Sequence, residues 1–230
     1  DVCVYDRAKI KQSFKNILIQ YDIAFKEEQN LDELMQADVI VKSPGIPDDQ
    51  EIVKQLAERN KQIISEVEFA AQFTDSLIIA VTGTNGKTTT TKLIGHILEK
   101  AGKDVGVAGN IGNSFAFEVA TNPQSFYVVE VSSFQLDNIK HFKPSIAIIT
   151  DVTADHLDRY QYQLENYMQA KLKITQNQDA SDYLIYNYDN QLIKSALVDT
   201  GTRAQLIPFS TEKELEEGVY LIDQQINVSI

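Results

Sequence analysis

The chain has 230 residues, and its 33 acidic and 21 basic residues give a net charge of -12. This acidity argues against a nucleic acid or an anionic membrane as the main partner. The single cysteine, Cys3, excludes an intrachain disulfide and favours a reducing compartment, and no apolar run approaches the roughly 20 residues of a spanning helix.

The first 74 residues alternate short strands with helices, which predicts part of a Rossmann-like α/β domain. The predicted strands cover residues 2–5, 39–41 and 63–64, and the predicted helices cover residues 48–59 and 67–73. The segment Ser43-Pro44-Gly45-Ile46-Pro47 follows a strand and precedes a helix, where open α/β sheets contact ligands, although a plain turn fits it too. Polar residues 74–76 predict a boundary between domains 1–74 and 75–230.

The same alternation continues after the boundary and predicts a parallel sheet. The predicted strands cover residues 77–81, 105–107, 126–131, 146–149 and 183–186, and the predicted helices cover residues 88–101 and 164–175. At the end, residues 219–222 and 226–228 flank a short polar turn and predict a small antiparallel hairpin. The fold class is therefore α/β.

The most informative motif is Gly83-Thr84-Asn85-Gly86-Lys87-Thr88-Thr89, which follows an apolar strand and opens a helix. Its glycines let backbone N–H groups turn toward an anion, and the helix dipole and Lys87 add positive charge. The Thr88 hydroxyl can bind Mg²⁺. Val81 stands where the general phosphate-loop motif has glycine, so the match is partial, and an ordinary strand, turn and helix remains the alternative.

Three further residues are predicted to lie at or to face one edge of the sheet, which is the edge where the carboxyl ends of the parallel strands meet. Glu130 ends an apolar strand and could hold Mg²⁺, or it could be a satisfied buried acid. His156 follows the strand at 146–149 and could be a ligand or a structural histidine. Lys171 falls on the apolar face of its predicted helix, where it either reaches solvent or is a buried amine able to form a carbamate with CO₂.

Five motifs, in this order and spacing, resemble those of the Mur ligases of peptidoglycan synthesis. They are Gly83-Thr84-Asn85-Gly86-Lys87-Thr88-Thr89, Gly109-Asn110-Ile111-Gly112, Glu130-Val131-Ser132-Ser133-Phe134-Gln135-Leu136, Asp155-His156-Leu157-Asp158-Arg159-Tyr160 and Ala170-Lys171-Leu172. Ser43-Pro44-Gly45-Ile46 fits as well, so the resemblance covers essentially the whole chain. Two of these runs favour the family member that uses D-glutamate, namely Ser132-Ser133-Phe134-Gln135-Leu136 and Asp155-His156-Leu157-Asp158-Arg159-Tyr160.

The resemblance implies an ATP-dependent, cytoplasmic ligase that adds D-glutamate to UDP-N-acetylmuramoyl-L-alanine through an acyl phosphate, and we expect a monomer. It also implies the roles of the site residues. ATP is assigned to Gly83, Thr84, Asn85, Gly86, Lys87, Thr88 and Thr89, with Lys87, His156 and Lys171 as catalytic residues. One Mg²⁺ is assigned to Thr88 and Glu130, and a second to His156 and a carbamylated Lys171. The UDP substrate is assigned to Asp6, Ser43, Gly45, Asn110, Ser132 and Gln135.

Compared with the family pattern, we expect this sequence to lack the opening strand of the uridine-binding domain, the end of the central ATP-binding domain and the C-terminal domain. We therefore expect a fragment that is inactive by itself. Two other interpretations remain: folylpolyglutamate synthase, a related ligase whose substrate motifs differ from these, and a scaffold that binds nucleotide without chemistry. Glu130 argues against the scaffold, in which the metal carboxylate would be lost.

Overall fold

The structure is a computed structural model that describes residues 1–28, 30–155 and 157–229. Contacts group the chain into two compact units, one of residues 1–40 and 46–63 and the other of residues 41–45 and 64–230. The predicted domain boundary after residue 74 stays a prediction. No helix of the described ranges is long and apolar enough to cross a membrane.

The first 65 residues form short elements. They are β1 (Cys3–Tyr5), α1 (Gln12–Gln20), β2 (Ala24–Lys26), α2 (Leu31–Leu34), β3 (Ile40–Lys42), α3 (Glu51–Glu58) and β4 (Ile63–Ser65). Strands β1 and β2 pair in parallel, and β3 and β4 form another two-stranded sheet. The strands and the helix predicted in this region are present within a few residues of their expected bounds, whereas α1, β2 and α2 were not predicted.

The rest of the chain forms a larger α/β unit. Its strands are β5 (Leu77–Thr82), β6 (Val105–Gly109), β7 (Phe126–Glu130), β8 (Ile146–Ile149), β9 (Tyr183–Asn187), β10 (Gln205–Ser210), β11 (Gly218–Ile222) and β12 (Gln225–Ser229). Its helices are α4 (Glu66–Ala71), α5 (Lys87–Lys100), α6 (Phe115–Thr121), α7 (Ser133–Leu136), α8 (Leu164–Leu172) and α9 (Gln191–Asp199), with 3-10 turns at Leu157–Tyr160 and Lys173–Thr175. The sequence did not predict α6, α7, α9 or β10.

These strands form an eight-stranded sheet in the order β12-β11-β10-β9-β8-β5-β7-β6. All its neighbours pair in parallel except β11 and β12, which form the predicted antiparallel hairpin. The predicted α/β class with a parallel sheet is therefore confirmed. Because parallel strands share one carboxyl edge, the ends of β5, β6, β7 and β8 lie next to one another and carry the loops described below.

Alternate residues of the central strands pack on opposite faces of the sheet. Ala80 of β5 belongs to the larger core, which also contains residues of α4, α6 and α8. Its neighbour Val81 belongs to the smaller core on the other face, together with Ile94 and Leu98 of α5. Val81 is completely buried. This packing explains why an apolar residue stands where the general phosphate-loop motif has glycine.

Candidate functional site

The loop between β5 and α5 has the backbone geometry that its glycines predict. Gly83 has a φ of +147° and Gly86 a φ of +81°, both in the range that glycine adopts readily. A Cβ atom on Gly83 would lie only 2.0 Å from the Thr150 hydroxyl oxygen. Helix α5 begins at Lys87. The amides of its first turn have no carbonyl acceptor in a preceding turn and are free to bind an anion.

Two lysines meet at the carbonyl oxygen of Gly83. Lys87 Nζ donates to this oxygen at 3.0 Å and to the Thr84 carbonyl at 2.9 Å. Lys171 Nζ, from α8, donates to the same Gly83 oxygen at 2.7 Å and lies 4.2 Å from the centre of the Tyr167 ring. Lys171 is only 1% exposed, which rules out the alternative that its side chain reaches solvent.

The surroundings of Lys171 disfavour its charged form. Burial, and next the positive charge of Lys87, lower the pKa of Lys171 from 10.5 to about 7, while Asp151 and Asp155 act in the opposite direction. A substantial fraction of this amine is therefore neutral near neutral pH, and a neutral amine is a nucleophile.

Glu130 lies at the carboxyl end of β7, opposite Val81 of β5 and Gly109 of β6 in the sheet register. Its side chain is 1% exposed and accepts hydrogen bonds from the Thr88 hydroxyl at 2.7 Å and from Asn110 Nδ2 at 2.8 Å. Both donors are uncharged groups, so neither contact is an ion pair. The predicted neighbours Thr88 and Glu130 are thus in direct contact.

The other two polar residues predicted near this edge stabilise the start of α7. Gln135 Oε1 accepts from the Ser132 backbone N–H at 3.0 Å, and the Ser132 side chain accepts from the Gln135 backbone N–H, so the two residues form a capping box. Gln135 is 4% exposed. Ser132 and Gln135 therefore have a structural role in α7, and their predicted contact with substrate stays a prediction.

A cleft of about 300 Å³ lies beside the phosphate loop in the larger unit. It is lined by Pro44, Gly45, Lys87, Asn110, Ser132, Ser133, Phe134, Asp155, Arg159, Tyr167 and Lys171. The fold thus brings together five of the predicted site residues, namely Gly45, Lys87, Asn110, Ser132 and Lys171.

The cleft also contains residues to which the sequence assigned no role. Arg159 donates to the carbonyl oxygens of Pro44 at 2.9 Å and Gly45 at 3.3 Å, and its guanidinium lies 4.1 Å from the centre of the Phe134 ring. Tyr167 packs against Tyr160, with ring centres 5.3 Å apart. In the sequence, Arg159 lies in the motif at 155–160, and Tyr167 lies on the predicted inward face of α8. Neither position predicts these contacts.

Asp6 and Ser43 do not line this cleft. Asp6 belongs to the smaller unit, where its Oδ1 accepts from the Ala8 N–H at 2.8 Å. Ser43 is exposed. His156 lies outside the described residues, so its predicted metal-binding and catalytic roles stay predictions. Among the described residues, no group of three or more His, Cys, Asp and Glu side chains could hold a metal ion.

Residues 81–228 match the family model described as the Mur ligase middle domain. The chain is 45% identical to the UDP-N-acetylmuramoylalanine--D-glutamate ligase of Christiangramia forsetii and 46% identical to that of Bacteroides fragilis. Each alignment covers 100% of this chain and 52% of the relative. The chain therefore spans about half the length of these curated relatives.

Solved structures share the fold. A UDP-N-acetylmuramate:L-alanyl-gamma-D-glutamyl-meso-diaminopimelate ligase from Neisseria meningitides matches with a TM-score of 0.62 at 21% identity, over 98% of this chain and 78% of that one. The MurF ligase from Thermotoga maritima in complex with ADP matches with a TM-score of 0.52 at 18% identity, over 76% of this chain and 47% of that one. At these identities the likeness concerns the fold alone.

Proposed function

Because the chain belongs to the Mur ligase family, we propose that it is part of an ATP-dependent ligase that joins D-glutamate to UDP-N-acetylmuramoyl-L-alanine in peptidoglycan synthesis. Curated relatives with the D-glutamate ligase name, 39–46% identical to it, support this choice of substrates. Since the chain covers about half of their length, the activity is proposed for the whole enzyme.

The observation that carries the proposal is the meeting of Lys87, Lys171 and Glu130 at one glycine loop. The two lysines share the Gly83 carbonyl, and the Glu130 carboxylate contacts the Thr88 hydroxyl at 2.7 Å. A loop of this kind, with the Lys87 cation and one carboxylate, suits the phosphates and metal of a nucleotide. The MurF relative bound to ADP supports ATP as the nucleotide.

The residues at the loop fit a magnesium ion. The Thr88 hydroxyl and one oxygen of Glu130 offer two hard ligands, and Mg²⁺ commonly keeps several waters as its other ligands. When bound, Mg²⁺ neutralises charge on the β- and γ-phosphates and favours attack at the γ-phosphorus. We assign a second Mg²⁺ to His156 and a modified Lys171, as the family resemblance implies.

The modification proposed for Lys171 is a carbamate. The neutral amine attacks CO₂, a C–N bond forms, and the nitrogen loses a proton to solvent, which leaves an anionic oxygen ligand. Burial and the lowered pKa of Lys171, to about 7, favour the neutral amine that this reaction needs. Labelled bicarbonate should give a carbamate ¹³C signal that Lys171→Ala abolishes, and a signal unchanged in this variant would exclude the assignment.

The proposed reaction depends on positioning and on charge neutralisation. The substrate carboxylate attacks the γ-phosphorus and ADP leaves, which gives an acyl phosphate. The D-glutamate amine then attacks the acyl carbon and loses a proton, and the tetrahedral intermediate expels phosphate. Lys87 would stabilise the negative charge that the transferred phosphoryl group carries.

The UDP substrate is proposed to bind next to this loop. Gly45, Asn110 and Ser132 line the cleft beside Lys87 and Lys171, which supports their assignment to the muramoyl part. Ser43, Gln135 and Asp6 are assigned to the same substrate on the family resemblance. A cytoplasmic location is proposed on the same basis, and a monomeric state is proposed as well.

Calorimetry on the 230-residue chain tests the proposal without requiring turnover. We expect Mg²⁺–ATP to bind to the wild type and not to Lys87→Ala, and UDP-N-acetylmuramoyl-L-alanine to bind while a folate does not. Binding of the folate instead would favour folylpolyglutamate synthase. If ATP binds but neither UDP-N-acetylmuramoyl-L-alanine nor the folate does, a nucleotide-binding scaffold would be favoured. Absence of ATP binding would contradict the proposal.

A further inference from the structure

Residues 150–153, which follow β8, form a dense set of hydrogen bonds with the phosphate loop. The Thr150 hydroxyl lies 2.6 Å from the Asn85 carbonyl oxygen and 3.2 Å from that of Thr82. The Thr84 hydroxyl donates to the Thr153 carbonyl at 3.2 Å and accepts from the Thr153 N–H at 3.0 Å. The shape of the loop therefore depends on a segment 65 or more positions away in the chain.

Within this segment, the Asp151 carboxylate binds two backbone amides of the loop. Its Oδ1 accepts from the Thr84 N–H at 3.1 Å and from the Asn85 N–H at 2.7 Å, and its Oδ2 accepts from Asn85 Nδ2 at 3.2 Å. The Asp151 carbonyl also accepts from the Thr84 N–H, at 2.9 Å. The amides in the first half of the loop are thus occupied by an anion of the protein itself.

The second half of the loop is different. The amides of residues 86–89 stand at the start of α5, where helix geometry leaves them without backbone acceptors. Positive charge lies nearby, since Lys87 donates to the carbonyl oxygens of Gly83 and Thr84. A phosphate group placed at the amides of Thr84 and Asn85 would instead compete with, and be repelled by, the Asp151 carboxylate.

We propose that Asp151 is a positioning residue that fixes Thr84 and Asn85, so that bound phosphates contact the amides of residues 86–89 and not those of Thr84 and Asn85. This inference rests on the proposed binding of ATP. It divides the seven-residue motif into a structural half and a ligand-binding half. The opposite view is that the Asp151 carboxylate merely competes with phosphate for the loop, and the two views predict effects of opposite sign.

Two variants of Asp151 and one control separate these views. Asp151→Ala removes every side-chain acceptor, whereas Asp151→Asn keeps an oxygen that can accept from both backbone amides. Asp189 is the matched control: it follows β9 and accepts from the Thr211 N–H at 2.8 Å and the Ser210 hydroxyl at 2.6 Å. Asp189→Ala therefore removes a carboxylate that, like that of Asp151, follows a strand and accepts hydrogen bonds from a neighbouring loop.

Calorimetry with Mg²⁺–ATP gives the first measurement. Loss of two hydrogen bonds to a charged acceptor should weaken ATP binding in Asp151→Ala by about tenfold or more. Asp151→Asn should recover most of the affinity, and Asp189→Ala should bind ATP like the wild type. ATP binding that is as tight or tighter in Asp151→Ala would overturn the proposal and, if tighter, would identify the carboxylate as a competitor.

Amide hydrogen exchange, measured by NMR at single residues, gives a second measurement that needs no nucleotide. The Asn85 N–H should be protected in the wild type and exchange at least about tenfold faster in Asp151→Ala. The Thr84 N–H keeps the Asp151 carbonyl oxygen as an acceptor in this variant, so its exchange should change less. Equal exchange in both proteins would refute the positioning role. If Asp151→Ala does not fold, the wild type with ATP decides: new protection should be confined to residues 86–89, and loss of protection at Thr84 and Asn85 would contradict the proposal.

These results remain distinguishable from failure of the proposed function. If the wild type does not bind ATP, the nucleotide assignment is wrong, while the exchange comparison still tests whether Asp151 fixes the loop. If the wild type binds ATP and Asp151→Ala binds it equally well, only the inference about Asp151 is wrong.

Discussion

At the residue scale, Lys171 shows how burial can change the chemistry of a common side chain. Its amine is held at the Gly83 carbonyl in a site that excludes solvent and already contains Lys87. Both effects disfavour the ammonium form, so the pKa falls from 10.5 to about 7.

The lowered pKa of Lys171 predicts a pH-dependent stability. Between about pH 7 and 10.5 the unfolded chain binds a proton at this lysine that the folded chain does not, so the free energy of unfolding rises with pH in that window. Relative to Lys171→Met, the wild type should gain at most about 1.4 kcal/mol per pH unit. Urea denaturation in CO₂-free buffers measures this difference.

The control for this experiment is Lys100→Met, which removes an exposed lysine from the end of α5. Subtracting the free energy of unfolding of each variant from that of the wild type at the same pH removes the contribution of the other groups that titrate over this range. A difference between wild type and Lys171→Met that stays constant from about pH 7 to 10 would show that the amine of Lys171 is not displaced from its usual pKa.

A functional role was predictable from the sequence for Lys171 but not for Asp151, and the reason is physical. The periodicity of α8 placed Lys171 among apolar positions, and the structure buries it there. The role of Asp151 depends on hydrogen bonds to Thr84 and Asn85, which are distant in the chain. No local pattern encodes such contacts, so they become visible only when β5 and β8 are seen as neighbours in the sheet.

At the scale of elements, the sheet was predictable where strands are apolar and continuous. Strands β5, β7 and β8 are buried on both faces, and their apolar runs predicted them directly. Strand β10 was missed; it contains Pro208, which cannot donate a ladder hydrogen bond. Its pairing with β11 begins only at Phe209, one residue later. Helix α7 has four residues, too few for a periodic pattern.

The hairpin of β11 and β12 turns through two residues in the left-handed region, Asp223 with a φ of +50° and Gln224 with a φ of +61°. A turn with both central residues at positive φ favours Asn-Gly. We therefore expect Asp223→Asn combined with Gln224→Gly to raise the free energy of unfolding by about 1 kcal/mol, as measured by urea denaturation. Gln224→Ala is the control, because it keeps a Cβ atom and should give no gain.

At the scale of the whole molecule, the proposed function requires a protein with a net charge of -12 to bind a polyanion. The larger unit places the Lys87 side chain and the backbone amides at the start of α5 together at one edge of the sheet, which suits this task. The surrounding negative charge is screened beyond about 10 Å at moderate ionic strength, so the local arrangement dominates binding.

Binding at this edge should stabilise the whole fold, which gives a test of the loop geometry. A ligand at 100 times its Kd adds about 2.7 kcal/mol to the free energy of unfolding. We expect Mg²⁺–ATP to raise the Tm of the wild type and not that of Gly83→Ala, because a Cβ atom there would lie 2.0 Å from the Thr150 hydroxyl oxygen and displace the loop. Gly102→Ala is the matched control, since Gly102 also has a positive φ, +71°, but open space around it. Thermal unfolding with and without ATP should show the ligand-induced shift in the control, and an equal shift in Gly83→Ala would mean that phosphate binding does not require this loop conformation.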